Sequence, residues 1–168
     1  MSETSERSYE KITKPNLRRL LGLAQEDIRV FFERNPQYKT LYKGKEVLVV
    51  LAQGAAQHYI DGKNGIKDFD VWFFYPNKKK LTLPYRRRGK MDFGKSKFGR
   101  HPEDNNYEGR RIDVLMRSNA FFNKNNTVDC LQNYLNNKRT KTAKLLAKKA
   151  MIGLWPDKVF GKQMWPRS

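Results

Sequence analysis

Three acidic residues stand where a chain seldom puts acids. Asp68 and Asp70 flank Phe69 in a run, residues 66–75, that apart from Lys67 is otherwise β-branched and aromatic. Asp113 interrupts a second such run, Ile112-Asp113-Val114-Leu115-Met116. An acid in an apolar strand is costly to bury without a partner. Side chains alternate along a strand, so Asp68 and Asp70 share one face while Phe69 and Val71 point the other way into a core. Adjacent carboxylates repel unless positive charge lies between them. A hard divalent cation such as Mg²⁺ supplies it, taking carboxylate oxygens together with substrate phosphates. If the two strands pair, the three carboxylates meet at one patch. The competing reading is a solvated acidic face.

The elements that must position these acids lie just upstream. Val47-Leu48-Val49-Val50-Leu51 reads as a buried strand. Gly54 opens a short helix over residues 55–60, and Gly62 and Gly65 close it. A helix N-terminus beside the acids is a ready phosphate site, with free amides and a positive dipole end.

Strand, glycine turn, short helix, D-x-D strand and a later acid strand together resemble the polymerase-β-type nucleotidyltransferase superfamily. The pattern is most similar to the head domain of tRNA nucleotidyltransferases and bacterial poly(A) polymerases. Gln53-Gly54 and the segment through Gly62 sit on that family's glycine-led frame, followed by Lys67-Asp68-Phe69-Asp70. Phe98-Gly99 and the run Arg111 to Arg117 match its later Phe-Gly and acid strand. The likeness spans roughly residues 45–118. Gln53 stands where the family has the first glycine of a pair, and Gln57-His58 where it has Arg-Asp. The large helical body that reads the incoming base in tRNA nucleotidyltransferases has no counterpart in 168 residues.

The fold implied is α+β: a small nucleotidyltransferase-like mixed sheet with flanking helices and a C-terminal helical segment. The activity implied is Mg²⁺-dependent transfer of a nucleoside monophosphate from a nucleoside triphosphate to a nucleic-acid acceptor, RNA or tRNA rather than DNA. Asp68, Asp70 and Asp113 then hold one or two ions. Gln53, Gly54, Ala55, His58, Lys67 and Arg117 serve the nucleotide: amides after Gly54 cradle phosphate, Lys67 and Arg117 offset its charge, and His58 approaches the triphosphate or acts as a base. For His58 the alternative is an ordinary packed side chain. Two other functions stay open: a non-catalytic nucleic-acid-binding protein with this fold, and a metal-dependent nuclease. The nuclease usually wants a lysine shortly after an acid, which both acid strands lack.

Net charge is +18, with 38% hydrophobic and 31% charged residues. Such an excess repels itself and calls for an anionic partner. Nucleic acid fits, with salt-sensitive binding through phosphates. From Lys78 to Arg111 there are twelve Lys/Arg against four Asp/Glu, interleaved with Tyr85, Phe93, Phe98 and Tyr107. Basic groups among aromatics suit single strands, charges following phosphates and rings stacking on bases. Lys78, Lys79, Lys80, Arg86, Arg87 and Arg88 are the candidates there, with Lys144 and Lys148 on a later helix. Because this run joins the two acid strands, it is expected near the site.

One cysteine, Cys130, excludes an internal disulfide and reads as a small core residue. No zinc framework is present. A polar start, MSETSERSYE, carries no signal-peptide pattern and no apolar run reaches membrane-spanning length, so no membrane partner and a cytoplasmic setting are expected. Three parts are expected: a flexible N-terminus over 1–13, a core over 14–125, and a basic C-terminal helical segment over 126–168 packed on it. Within them, Leu17, Leu20, Leu21, Ala24, Ile28, Phe31 and Phe32 recur at helical spacing up to Asn35-Pro36. Thr127 caps a later helix. A last one is expected over residues 142–154, with an apolar tail folding back.

Overall fold

Five consecutive buried residues, Leu48–Ala52, form the central strand β1 of a five-stranded sheet. The computed structural model describes residues 10–62, 65–78, 80–84, 91–94, 98, 111–119, 122 and 127–166. Before β1 come helices α1 (Lys14–Arg34) and α2 (Pro36–Tyr42). After it come α3 (Gln53–Asp61), β2 (Asp68–Pro76), β3 (Arg111–Asn119), α4 (Thr127–Asn137), α5 (Lys141–Leu146), β4 (Met151–Trp155) and β5 (Gln163–Trp165). The strand order is β3-β2-β1-β4-β5. β1 is antiparallel to both β2 and β4, and β2 is parallel to β3. The sheet is therefore mixed and the fold α+β, as expected.

One consequence positions everything that follows. The C-terminal end of β1 lies beside the N-terminal ends of β2, β3 and β4. Residues that start those three strands are gathered at one edge, where α3 also begins.

Alternation sorts the two faces. Val49 and Leu51, with Phe69, Val71 and Phe73 and with Ile112 and Val114, join the core under α1 and α3. Leu48 and Val50, with Trp72, Phe74 and Leu115, join the core under α4 and α5. α1 begins with a capping box: Asn16 N donates to Thr13 Oγ1 at 3.3 Å and Thr13 N to Asn16 Oδ1 at 2.8 Å. Gly22 leaves the helix unbroken, and its stripe Leu17, Leu20, Ala24, Ile28 and Phe32 is buried. Among the described residues no helix is long and apolar enough to cross a membrane.

Several expectations need correction. Residues 10–13 are not a loose end: Ile12 is buried in the core and Thr13 caps α1. Asn35-Pro36 ends α1 but not the helical region, since Pro36 starts α2 at once. The largest departure is at the C-terminus. The helix expected over 142–154 ends at Leu146, and Met151–Trp155 instead becomes β4 beside β1. A short apolar run bounded by charges is compatible with either state, and only the open edge of β1 decides it. Gly153 makes that strand specific. A Cβ placed on it would lie 2.2 Å from the carbonyl oxygen of Val159, whose segment crosses closely there. The tail does fold back: Val159 and Met164 are buried, and Trp165 Nε1 donates to the Ala147 carbonyl at 2.9 Å.

Candidate active site

Asp70 and Asp113 are register partners on β2 and β3, and Asp68 is opposite Arg111. The pairing that the acids required is thus made, on the face shared with Trp72 and Leu115. One carboxylate oxygen from each of Asp68, Asp70 and Asp113 lies within 4.8 Å of the others. Six or more oxygen ligands are typical of hard cations, and such a cluster supplies part of the set, leaving room for phosphate and water.

The charge there is only partly answered. Arg111 Nη2 is 3.7 Å from Asp68 Oδ2, and its Nε is 3.3 Å from Asp113 Oδ1. Among the described residues this one half-exposed guanidinium lies within 4 Å of two of the three carboxylates. Burial, then repulsion from Asp68 and Asp113, pushes the Asp70 carboxyl up to about 7, although Arg111 and Lys149 pull the other way. A group of this kind gains most from an added cation.

α3 follows β1 without a linker and no side chain caps it. Its first residues face the acids across a cavity of about 520 Å³, lined among others by Gln53, Gly54, Ala55, Lys67, Asp68, Asp70 and Lys149. Uncapped amides, two lysines and two of the three acids therefore share one space. Asp113 stands one strand further on and is not in its wall. Gln53 has φ of 63°, the left-handed region that a glycine enters freely and other residues at roughly 1–2 kcal/mol. Its side-chain Nε2 is sealed from solvent with no hydrogen-bond partner among the described residues. Gly62 closes α3 in the same left-handed region, at φ 66°, donating to the His58 carbonyl at 2.7 Å.

Other expected site residues fall elsewhere. His58 is fully buried on the core side of α3, its Nε2 donating to the Glu10 carbonyl at 3.1 Å and its ring against Phe98. It is a packing residue, because positions 55, 56 and 58 form the buried face of that helix. Arg117 is four residues along β3 from Asp113, about 13 Å at strand rise, and donates to Thr142 Oγ1 at the start of α5. It braces a helix rather than the acid cluster.

The basic stretch also divides. The connection to β3 leaves from the end of β2, far from the acids, and because the two strands are parallel it has to return to the acid end to enter β3. Lys78 and Lys80 are exposed just past the end of β2, and that end, Pro76, is some 20 Å from Asp70 along the strand. The return leg reaches the acids: the Met91 carbonyl accepts from Ile112 N at 3.0 Å. Phe93 and Phe98, expected to stack on bases, are buried against Phe69. Lys79, Tyr85, Arg86, Arg87, Arg88, Gly99 and Tyr107 lie outside the described residues. Lys144 and Lys148 are exposed on and just after α5.

Sequence reasoning gives no role to Lys149 or Arg111. Lys149 reads from the sequence as part of a helix face; only the conversion of residues 151–155 into β4 brings it to the edge where α3 starts. Arg111 is visible in the sequence as the residue two before Asp113, on the same strand face. Compared with models of known protein families, with curated proteins and with solved structures, the chain has no match.

Proposed function

We propose that this protein is a Mg²⁺-dependent nucleotidyltransferase that moves a nucleoside monophosphate from a nucleoside triphosphate to a hydroxyl of an RNA acceptor, in a cytoplasmic setting. The observation that carries the reading is the convergence of three carboxylates, from two paired strands, within 4.8 Å beneath the uncapped start of α3. Asp68, Asp70 and Asp113 would hold the cation. When bound, it neutralises triphosphate charge and makes the attacking hydroxyl more acidic.

The chain's own groups do the rest. Backbone amides at the start of α3 bind phosphate oxygens. Lys67 and Lys149 add positive charge in the wall of the same cavity. Arg111 orients Asp68 and Asp113. The acceptor oxygen forms a bond to the α-phosphorus, the bond to the β-phosphate bridging oxygen breaks, and pyrophosphate leaves. Asp113 accepts the hydroxyl proton or helps to hold the cation.

The test is incubation of the protein with each labelled triphosphate, Mg²⁺ and total RNA, beside Asp70→Ala and Asp113→Ala. Labelled RNA with the wild type and none with either variant is the expected result. Shortened RNA would indicate a nuclease instead. Arg111 favours one second reading, a nucleic-acid-binding protein in which the guanidinium stands in for the cation. Its mark is RNA binding indifferent to Mg²⁺ and to Asp68→Ala, with no label transferred.

A further inference from the structure

A second cavity, of about 440 Å³, opens on the α4–α5 side of the sheet. Asn119, its contribution from β3, is six residues beyond Asp113, about 20 Å along the strand. The cavity has an unusual lining: three asparagines, Asn119, Asn133 and Asn137, with Tyr134, Arg139 and Thr140. Among the described residues no carboxylate lines it. Its volume is in the range of small-molecule sites.

Each asparagine carries both donors and an acceptor, the mixed set that base edges present. Tyr134 is a braced wall. Its ring packs against Phe74 and Phe122, with centroids 6.1 and 5.7 Å away, and its hydroxyl is 3.5 Å from Thr140 Oγ1. Arg139 adds a cation at the turn between α4 and α5. Lys138 beside it holds φ of 49°, a conformation strained for a lysine. From Lys138 to Lys149 there are six Lys/Arg and no acid.

α5 joins the two cavities. Thr140 and Ala143, at its start, line this one, and Leu145 and Lys149, at and beyond its end, line the acid cavity. The helix itself is only about 9 Å long, with Lys141, Lys144 and Lys148 exposed between.

We propose that this cavity takes one unstacked base of a single-stranded RNA, whose phosphates follow the basic face of α5 towards the acid cluster. The direction towards the acids rests on the transferase reading; base capture does not. Stacking and hydrogen-bonding of a splayed base beside a track of cations is the general mode of single-strand recognition.

The experiment is fluorescence anisotropy of labelled RNA oligonucleotides with the whole protein, in EDTA and without triphosphate. The base is removed from one nucleotide at a time. One abasic position should weaken binding about tenfold, and that effect should vanish in Arg139→Ala and Asn133→Leu, both at exposed residues. If every abasic position is neutral while salt-sensitive binding persists, the cavity holds no base and the proposal falls. An abasic effect confined to the DNA version of the oligonucleotides overturns the assignment to RNA. If the abasic effect stands and no label is transferred in the earlier assay, base capture survives and the transferase reading alone is lost.

Discussion

Replacing Asp70 with asparagine should stabilise the metal-free protein at neutral and alkaline pH. The carboxyl is raised from 3.8 to about 7, roughly three units, and each unit corresponds to 1.36 kcal/mol. The sign follows from linkage. Below about pH 4 the group is protonated in both folded and unfolded chains and contributes nothing. Between about pH 4 and 7 the unfolded chain releases the proton and the folded chain keeps it, so stability falls as pH rises. Above that window the folded state carries the whole penalty, at most about 4 kcal/mol, a melting shift on the order of 10 °C for a domain this size. An asparagine does not titrate, so the Asp70→Asn variant would have no such window. The assay is thermal and urea unfolding of wild type and Asp70→Asn at about pH 5 and pH 8, in EDTA and in Mg²⁺ or Mn²⁺. The variant should be the more stable at pH 8 in EDTA, and nearer the wild type at pH 5. Divalent ions should raise the wild-type midpoint at pH 8 and leave the variant's nearly unchanged. Calorimetry near pH 7 should show about half a proton released per ion bound. A variant less stable than wild type at pH 8, or equally stabilised by Mg²⁺, would refute both the burial argument and the cation site.

Three further predictions concern neighbouring residues. Gln53→Gly should stabilise the fold by roughly 0.5–1 kcal/mol, the left-handed strain relieved less the extra freedom of unfolded glycine; lower stability by urea titration would contradict it. Lys149→Met should raise KM for the triphosphate several-fold with a smaller change in kcat, and should push the Asp70 carboxyl higher still, visible as a shift of the pH–rate profile to higher pH. Gly153→Ala should lose about 2–3 kcal/mol of stability, since the new methyl meets the Val159 carbonyl oxygen at 2.2 Å; an unchanged unfolding midpoint would mean that the 157–159 segment moves aside without penalty.

The amino-acid sequence by itself determined the acids, their common face, and the strand–glycine–helix unit that leads to them. It also determined α1, whose apolar stripe and capping residues agree with each other. These are signals within a few residues, set by the alternation of a strand and the turn of a helix. The tertiary structure alone decided how distant pieces meet. Residues 151–155 satisfy a helix or a strand locally, and the unpaired edge of β1 makes them β4. That choice moves Lys149 from a helix face to the rim of the acid cavity. His58 and Arg117 look like site residues by type and position in the pattern. The rotation of α3 and the length of β3 send one into the core and the other some 13 Å away. The length of β2 likewise leaves Lys78 and Lys80 at the far end of the sheet, and its parallel pairing with β3 brings only the return leg to the acids. Strand direction leaves no mark in the composition of either strand, because it is set by backbone hydrogen bonds between segments far apart in the chain.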